Sequence, residues 1–298
     1  MIWVKKGLII QPDRKKWWMN SHAMLPTPRH IIDNLYKIYY SGRDKNGVSH
    51  IGYSNVEIKG ENIIELSKSS EPILLPGERG CFDDNGVTPS CIVDDKLFYI
   101  GWNSGTTTYR MSLIMGLALE TSPGKYNRNS RAPLIQRTDR EPYGICTAPF
   151  VIKSEKGYQM WYVSGEDWIN KDLPKYNIKY AHSNDGFLWK NEGLVSLELM
   201  ENETALARPC VLKNENHYEM YFSYKDPALG YRIGYATSKD GIKFERHKDQ
   251  SNYLSISDNG WDSEMVEYSF VFKHKGVQFM LYNGNTYGQK GIGYAVKK

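Results

Sequence analysis

Between residues 158 and 195 the chain reads Tyr158-Gln-Met-Trp-Tyr-Val-Ser-Gly165, then Ile178-Lys-Tyr-Ala181, then Ser183-Asn-Asp-Gly186, and last Trp189-Lys-Asn-Glu-Gly-Leu-Val195. The first run is rich in aromatic residues and the second mixes aliphatic and aromatic ones, which fits half-buried strands. The Asp-Gly pair supplies the positive φ angles of a tight turn. This order describes consecutive antiparallel strands joined by hairpins.

Working outward, the aromatic run recurs as Tyr36 to Gly42, Leu97 to Gly105, Tyr218 to Lys225 and Val277 to Gly284, giving five copies. Sixteen residues before the end of each copy stand Pro26, Pro89, Pro149, Pro209 and Tyr268, at steps of 63, 60, 60 and 59 residues. A second strand follows each copy, as Ile51-Gly-Tyr53, Gly116-Leu-Ala118, Ile178 to Ala181, Ile233-Gly-Tyr-Ala236 and Ile292-Gly-Tyr-Ala295. Units of about 60 residues with four short strands are propeller blades. The fifth unit ends after its third strand, while Trp3-Val-Lys-Lys-Gly-Leu-Ile9 repeats the outer-strand pattern of Trp189 to Val195. The expected fold is therefore all-β, a single five-bladed β-propeller over residues 1–298. Residues 1–19 form the closing strand and its lead-in, and blades start near 20, 83, 143, 203 and 262. An open β-sandwich is the rival, and the even spacing argues against it.

Composition excludes several classes. Aromatics make up 13% of the 298 residues and the formal net charge is +4, with Lys and Arg dispersed, so nucleic acid is not an expected partner. The early apolar run Gly7 to Ile10 is too short for a secretory core or a membrane span, and the chain reads as cytoplasmic. Cys81, Cys91, Cys146 and Cys210 lack metal-type spacing and read as free thiols. No dinucleotide, P-loop, zinc-protease or nucleophile-elbow signature occurs, so no cofactor is expected, and no ligand cluster demands a metal.

Propellers place ligands on the axis, where the innermost strands begin. The segments at that end differ between blades: Asn20 to Pro26, Asp83 to Pro89, Tyr143 to Pro149, Glu203 to Pro209 and Asp262 to Tyr268. Carboxylates come from blades two and five, an imidazole from blade one and a guanidinium from blade four. Glycosidic-bond chemistry needs one acid for the leaving oxygen and a second group for water or nucleophilic attack. Asp83 or Asp84 opposite Glu264 or Glu267 would meet this, with Asp84 favoured because neighbours on an extended strand point apart. His22, Arg43, Arg208 and Lys225 would hold a phosphate, a sugar carboxylate or a catalytic carboxylate, unless Arg208 forms an internal ion pair with Glu267 or Asp84. Trp102, Asn103, Glu141, Tyr143, Trp261, Asp262, Asn283 and Asn285 complete the expected sugar contacts; the competing reading is turn capping and blade packing. The expected axial ring is Leu25, Thr88, Ala148, Arg208 and Glu267.

On the repeated order of Pro, aromatic strand and Ile-Gly-Tyr-Ala-like strand, the chain resembles the five-bladed propeller superfamily of arabinanases, β-xylosidases, invertases and β-mannoside phosphorylases. Glu71-Pro-Ile-Leu-Leu-Pro-Gly77 ahead of Phe82 to Pro89 looks most like the phosphorylase branch. Ser21-His-Ala23, Gly260 to Met265 and Tyr282 to Asn285 look like bacterial propellers of surface-polysaccharide gene clusters. The resemblance implies a carbohydrate substrate, anionic or phosphate-activated. It implies an enzyme of glycoside-hydrolase type with Asp84 or Glu264 as acid or base and Glu267 as partner. Phosphorolysis, glycosyl transfer and non-catalytic glycan binding are the alternatives. Two departures stand out: Leu25 and Thr147-Ala148 occupy places where arabinanases and invertases carry acids.

Overall fold

The computed structural model describes residues 2–247 and 253–298. Among them the regular secondary structure is almost entirely strand. The N-terminal strand β1 (Trp3–Ile10) is followed by four antiparallel groups of four. These are β2 (Ser21–Ile32), β3 (Leu35–Arg43), β4 (Ser49–Lys59) and β5 (Asn62–Lys68); β6 (Val87–Val93), β7 (Lys96–Ser104), β8 (Met111–Ser122) and β9 (Lys125–Arg128); β10 (Ile145–Ser154), β11 (Gly157–Asn170), β12 (Leu173–Ser183) and β13 (Lys190–Leu197); and β14 (Ala205–Lys213), β15 (Tyr218–Asp226), β16 (Gly230–Ser238) and β17 (Glu245–Arg246). The last group is β18 (Glu267–His274), β19 (Val277–Asn283) and β20 (Ile292–Lys297), with β1 as its fourth member. Trp3 lies opposite Lys297 and Ile10 opposite Ile292, so both chain ends share one sheet. An end pairing of this kind leaves no bare strand edge at the seam.

The first strands of the groups touch in the order β2, β6, β10, β14, β18, and β18 packs back against β2. Short parallel bridges from β8 to β10 and from β12 to β14 link three groups into one continuous sheet. The second strands carry the core: Tyr39, Tyr99, Trp161, Tyr221 and Tyr282 are buried. The hairpin reading of the Ser-x-Asp-Gly runs is visible atom by atom. Asp185 Oδ1 accepts from the backbone N–H of Phe187 and Leu188, and Asp240 Oδ1 does the same for Ile242 and Lys243. Gly186 and Gly241 take the positive φ angles, 79° and 75°. All four cysteines are free, and Cys91 and Cys210 lie between neighbouring first strands, where each sulfur accepts from a backbone N–H.

Candidate active site

A cavity of about 540 Å³ opens at the end of the ring where the first strands begin. Every group lines it, including Met24 and Leu25, Ile100 and Trp102, Thr147 and Ala148, Ala207 and Arg208, and Tyr268. In four of the first strands the ladder skips a step there, between Met24 and Thr27, Thr147 and Phe150, Ala207 and Cys210, and Glu267 and Phe270. Inside these bulges Leu25, Ala148, Arg208 and Tyr268 adopt φ of 54°, 46°, 52° and 54°. A left-handed non-glycine residue costs about 1–2 kcal/mol, and its recurrence at one level marks a functional rim.

This register corrects the expected ring. Tyr268 falls level with Arg208 and Ala148, and Ser269, not Tyr268, stands where the other groups have Pro. Glu267 is then equivalent to Met24, Thr147 and Ala207, all of which line the cavity. Thr88, the second-group member of the expected ring, is fully buried at a place without a left-handed residue.

Most of the expected acids are committed to the scaffold. Asp83 accepts from the Tyr99 hydroxyl at 2.9 Å and from Arg128 Nε at 2.7 Å. Glu141 accepts from Tyr162 at 2.8 Å, Ser164 at 2.5 Å and Lys179 Nζ at 3.2 Å. Asp262 accepts from Tyr282 at 2.9 Å and Lys5 Nζ at 2.7 Å. Glu203 forms a two-pronged pair with Arg246 at 2.5 and 2.9 Å. The device is the same four times: a carboxylate ahead of a first strand ties down a cation on the third or fourth strand of its group. Burial without such a partner would be costly.

The proposed acid pair is not assembled. Asp84 accepts from Asn103 Nδ2 and the Gly80 N–H, both at 2.8 Å, and so closes the loop before β6. Glu264 is exposed, and neither residue lines the cavity. Tyr143 lies against Gly165, away from the cavity, and Trp261 stacks on Tyr282 at 5.1 Å. Asn283 is buried and bonds Ala23, Leu25 and Gly291, while Asn285 accepts from the Glu264 and Met265 N–H groups. These amides hold the turn Asn285–Gly288, whose Thr286 and Tyr287 sit at φ 56° and 57° and bring Tyr287 to the cavity.

Arg208 lines the cavity but is 1% exposed and is not poised for a ligand anion. Its Nη1 donates to the Pro89 carbonyl at 3.0 Å and Ser90 Oγ at 3.2 Å, and its Nη2 to the Pro26 carbonyl at 2.9 Å and Thr27 Oγ1 at 2.8 Å. Among the described residues, no carboxylate pairs with it. Bulges leave carbonyls outside the ladder, and the guanidinium fork collects them from two other groups, so Arg208 is a clasp across the ring. Burial lowers its pKa to about 10, which leaves it charged at neutral pH. His22, buried with Nδ1 2.9 Å from Ser21 Oγ, is lowered to about 4 by desolvation and then by Arg43, and is neutral.

Glu267 is the exception. It is 0% exposed, and neither carboxylate oxygen has a hydrogen-bond partner among the described residues. Desolvation, opposed by Lys225, raises its pKa well above the usual carboxylate value and so favours the protonated acid. Around it stand tyrosines that sequence reasoning missed. Tyr176 and Tyr231 share a hydroxyl contact of 2.8 Å, and Tyr231 packs on Tyr268 and Tyr287 with centroids 5.8 and 6.2 Å apart. Trp102 Nε1, Thr147 Oγ1, Thr204 Oγ1 and Arg208 Nε belong to residues that line the cavity and have no partner among the described residues, while Glu267 itself lies behind that lining. Buried polar atoms are nearly always bonded, so this concentration points to a ligand. Of the expected contacts, Arg43, Trp102, Asn103, Arg208 and Lys225 do reach the cavity.

No family model matches the chain. An uncharacterized protein of Mycobacterium tuberculosis is 37% identical over 303 residues, covering 99% of both chains. A solved structure described as a glycoside hydrolase superposes with TM-score 0.73 at 17% identity, over 99% of this chain and 91% of that one. A thermostable family-43 glycoside hydrolase gives 0.64 at 15% identity, over 93% and 88%. The fold is that of the propeller glycoside hydrolases.

Proposed function

The chain belongs to one family with the mycobacterial protein, and for this member we propose a carbohydrate-active enzyme that acts on a glycosidic bond, its five strand groups being the blades of one propeller closed by β1. The observation that carries this is Glu267, a neutral, unpartnered acid placed level with three cavity-lining residues. A carboxyl kept protonated by an apolar site is suited to donate a proton to a leaving glycosidic oxygen. As the anomeric C–O bond breaks, its electron pair stays with that oxygen, which takes the Glu267 proton. Water adds to the anomeric carbon and releases a proton to solvent. The carboxylate left behind is stabilised by the Lys225 ammonium, its charge neighbour. Glu267 is fully buried behind the residues that line the cavity, so contact with the sugar requires a side chain over it to move. Trp102 offers an apolar face and a free indole N–H to the sugar.

Turnover of a panel of aryl glycosides and oligosaccharides by wild type and Glu267→Gln tests this. The amide cannot donate an acidic proton, so the rate is expected to fall about 10²–10⁴-fold with sugar binding retained. Full turnover by Glu267→Gln overturns the assignment. Binding without turnover in the wild type favours a glycan-binding module.

A further inference from the structure

Four cations border the cavity: Arg208, which is committed to the carbonyls and hydroxyls of other groups, and Arg43, Arg110 and Lys225. None has a carboxylate within ion-pair distance among the described residues, although elsewhere even half-exposed lysines such as Lys153 find one. Lys225 lies over the Tyr231 ring at 5.6 Å, and its charge neighbour Glu267 is pushed toward the neutral form by desolvation. Arg43 is half-buried and desolvated, and the groups that offset this are the phenols of Tyr268 and Tyr287. Tyr287 lines the same cavity as Arg43, Arg110 and Lys225. Among the described residues, the cavity's only lining acid is Asp172, which is exposed.

Partly buried cations without counter-charges raise the free energy of the empty site, and an oxyanion that fills the gap recovers it. We propose that this cavity is an oxyanion site, in which Arg43 and Lys225 grip a carboxylate or phosphate group and Arg110 draws it in at the mouth. The substrate class is then an acidic sugar, its charge a substituent on the ring, or a neutral sugar presented with inorganic phosphate. The sugar part rests on the glycosidic reading above; the anion part does not.

The full chain is titrated by calorimetry at low salt with inorganic phosphate, glucuronate and glucose. Wild type is expected to bind at least one of the two anions, more weakly as salt rises. Arg43→Gln and Lys225→Gln are each expected to lose about tenfold or more of that affinity, the size of one charge-assisted hydrogen bond. Arg43→Lys, which keeps the charge, is expected to recover part of it, and melting curves confirm that all variants are folded. Phosphate alone identifies free phosphate as the source, and glucuronate alone an acidic substituent. No binding of either anion, or equal binding by the Gln variants, overturns the proposal. Glu267→Gln separates the two readings: it is expected to keep anion affinity while losing turnover. Anion affinity with unchanged turnover in that variant removes the glycosidic assignment alone.

Discussion

Two sets of buried carboxylates occupy the same end of this molecule. Asp83, Glu141, Glu203 and Asp262 each meet a cation, and three of them a tyrosine hydroxyl as well. Glu267 meets neither. The first set is paired with cations and holds each group's outer strands to its inner edge. The second keeps its proton because nothing nearby rewards ionisation enough to offset the loss of water. On the proposed function, proximity to the axis would not separate structural from chemical acids; the presence of a partner would.

The contrast breaks most sharply under paired substitutions. Glu267→Ala is expected to lose turnover by about 10²–10⁴-fold with little loss of folding stability, since no hydrogen bond is removed. Glu141→Ala is expected to do the opposite, costing about 3–5 kcal/mol in denaturant melts by stranding Lys179 and two hydroxyls, with turnover per folded molecule preserved. Equal behaviour of the two variants would erase the distinction.

Smaller effects sharpen it. Asp84→Ala and Glu264→Ala are expected to change turnover less than about threefold. The first loses about 1 kcal/mol with the Asn103 and Gly80 bonds, as melting curves would show. His22 gives a pH signature. Its folded value near 4 lies below the ordinary 6.5, so the unfolded chain binds the extra proton between those limits. Stability is therefore complete above about pH 6.5 and falls as pH drops toward 4. His22→Asn is expected to flatten that part of the stability curve by up to one proton.

The repeat was legible because strands of one period recur with the same residues, and the Trp3 run was legible because it copies Trp189. The rim was misaligned by one in the last group because Ser269 replaces the Pro that anchors the others, and a bulge leaves no mark in the sequence. The acids misled for a different reason. An Asp ahead of a strand reads the same whether it faces the axis or a cation, and the cations that claim Asp83, Glu141 and Asp262 stand 45, 38 and 257 residues away. Tyr176, Tyr231 and Tyr287 were hidden among 22 tyrosines, most of which pack the core. The one available signal was the Asn283 to Gly288 run, whose two Asn and two Gly imply a tightly built turn and so direct notice to the Tyr287 it carries.

The protonation of Glu267 is the most direct test. Infrared difference spectra of wild type minus Glu267→Gln at neutral pH are expected to show the carbonyl band of a protonated carboxyl group, persisting well above the pH at which ordinary glutamates ionise. A difference spectrum showing only an ionised carboxylate at neutral pH would contradict the account.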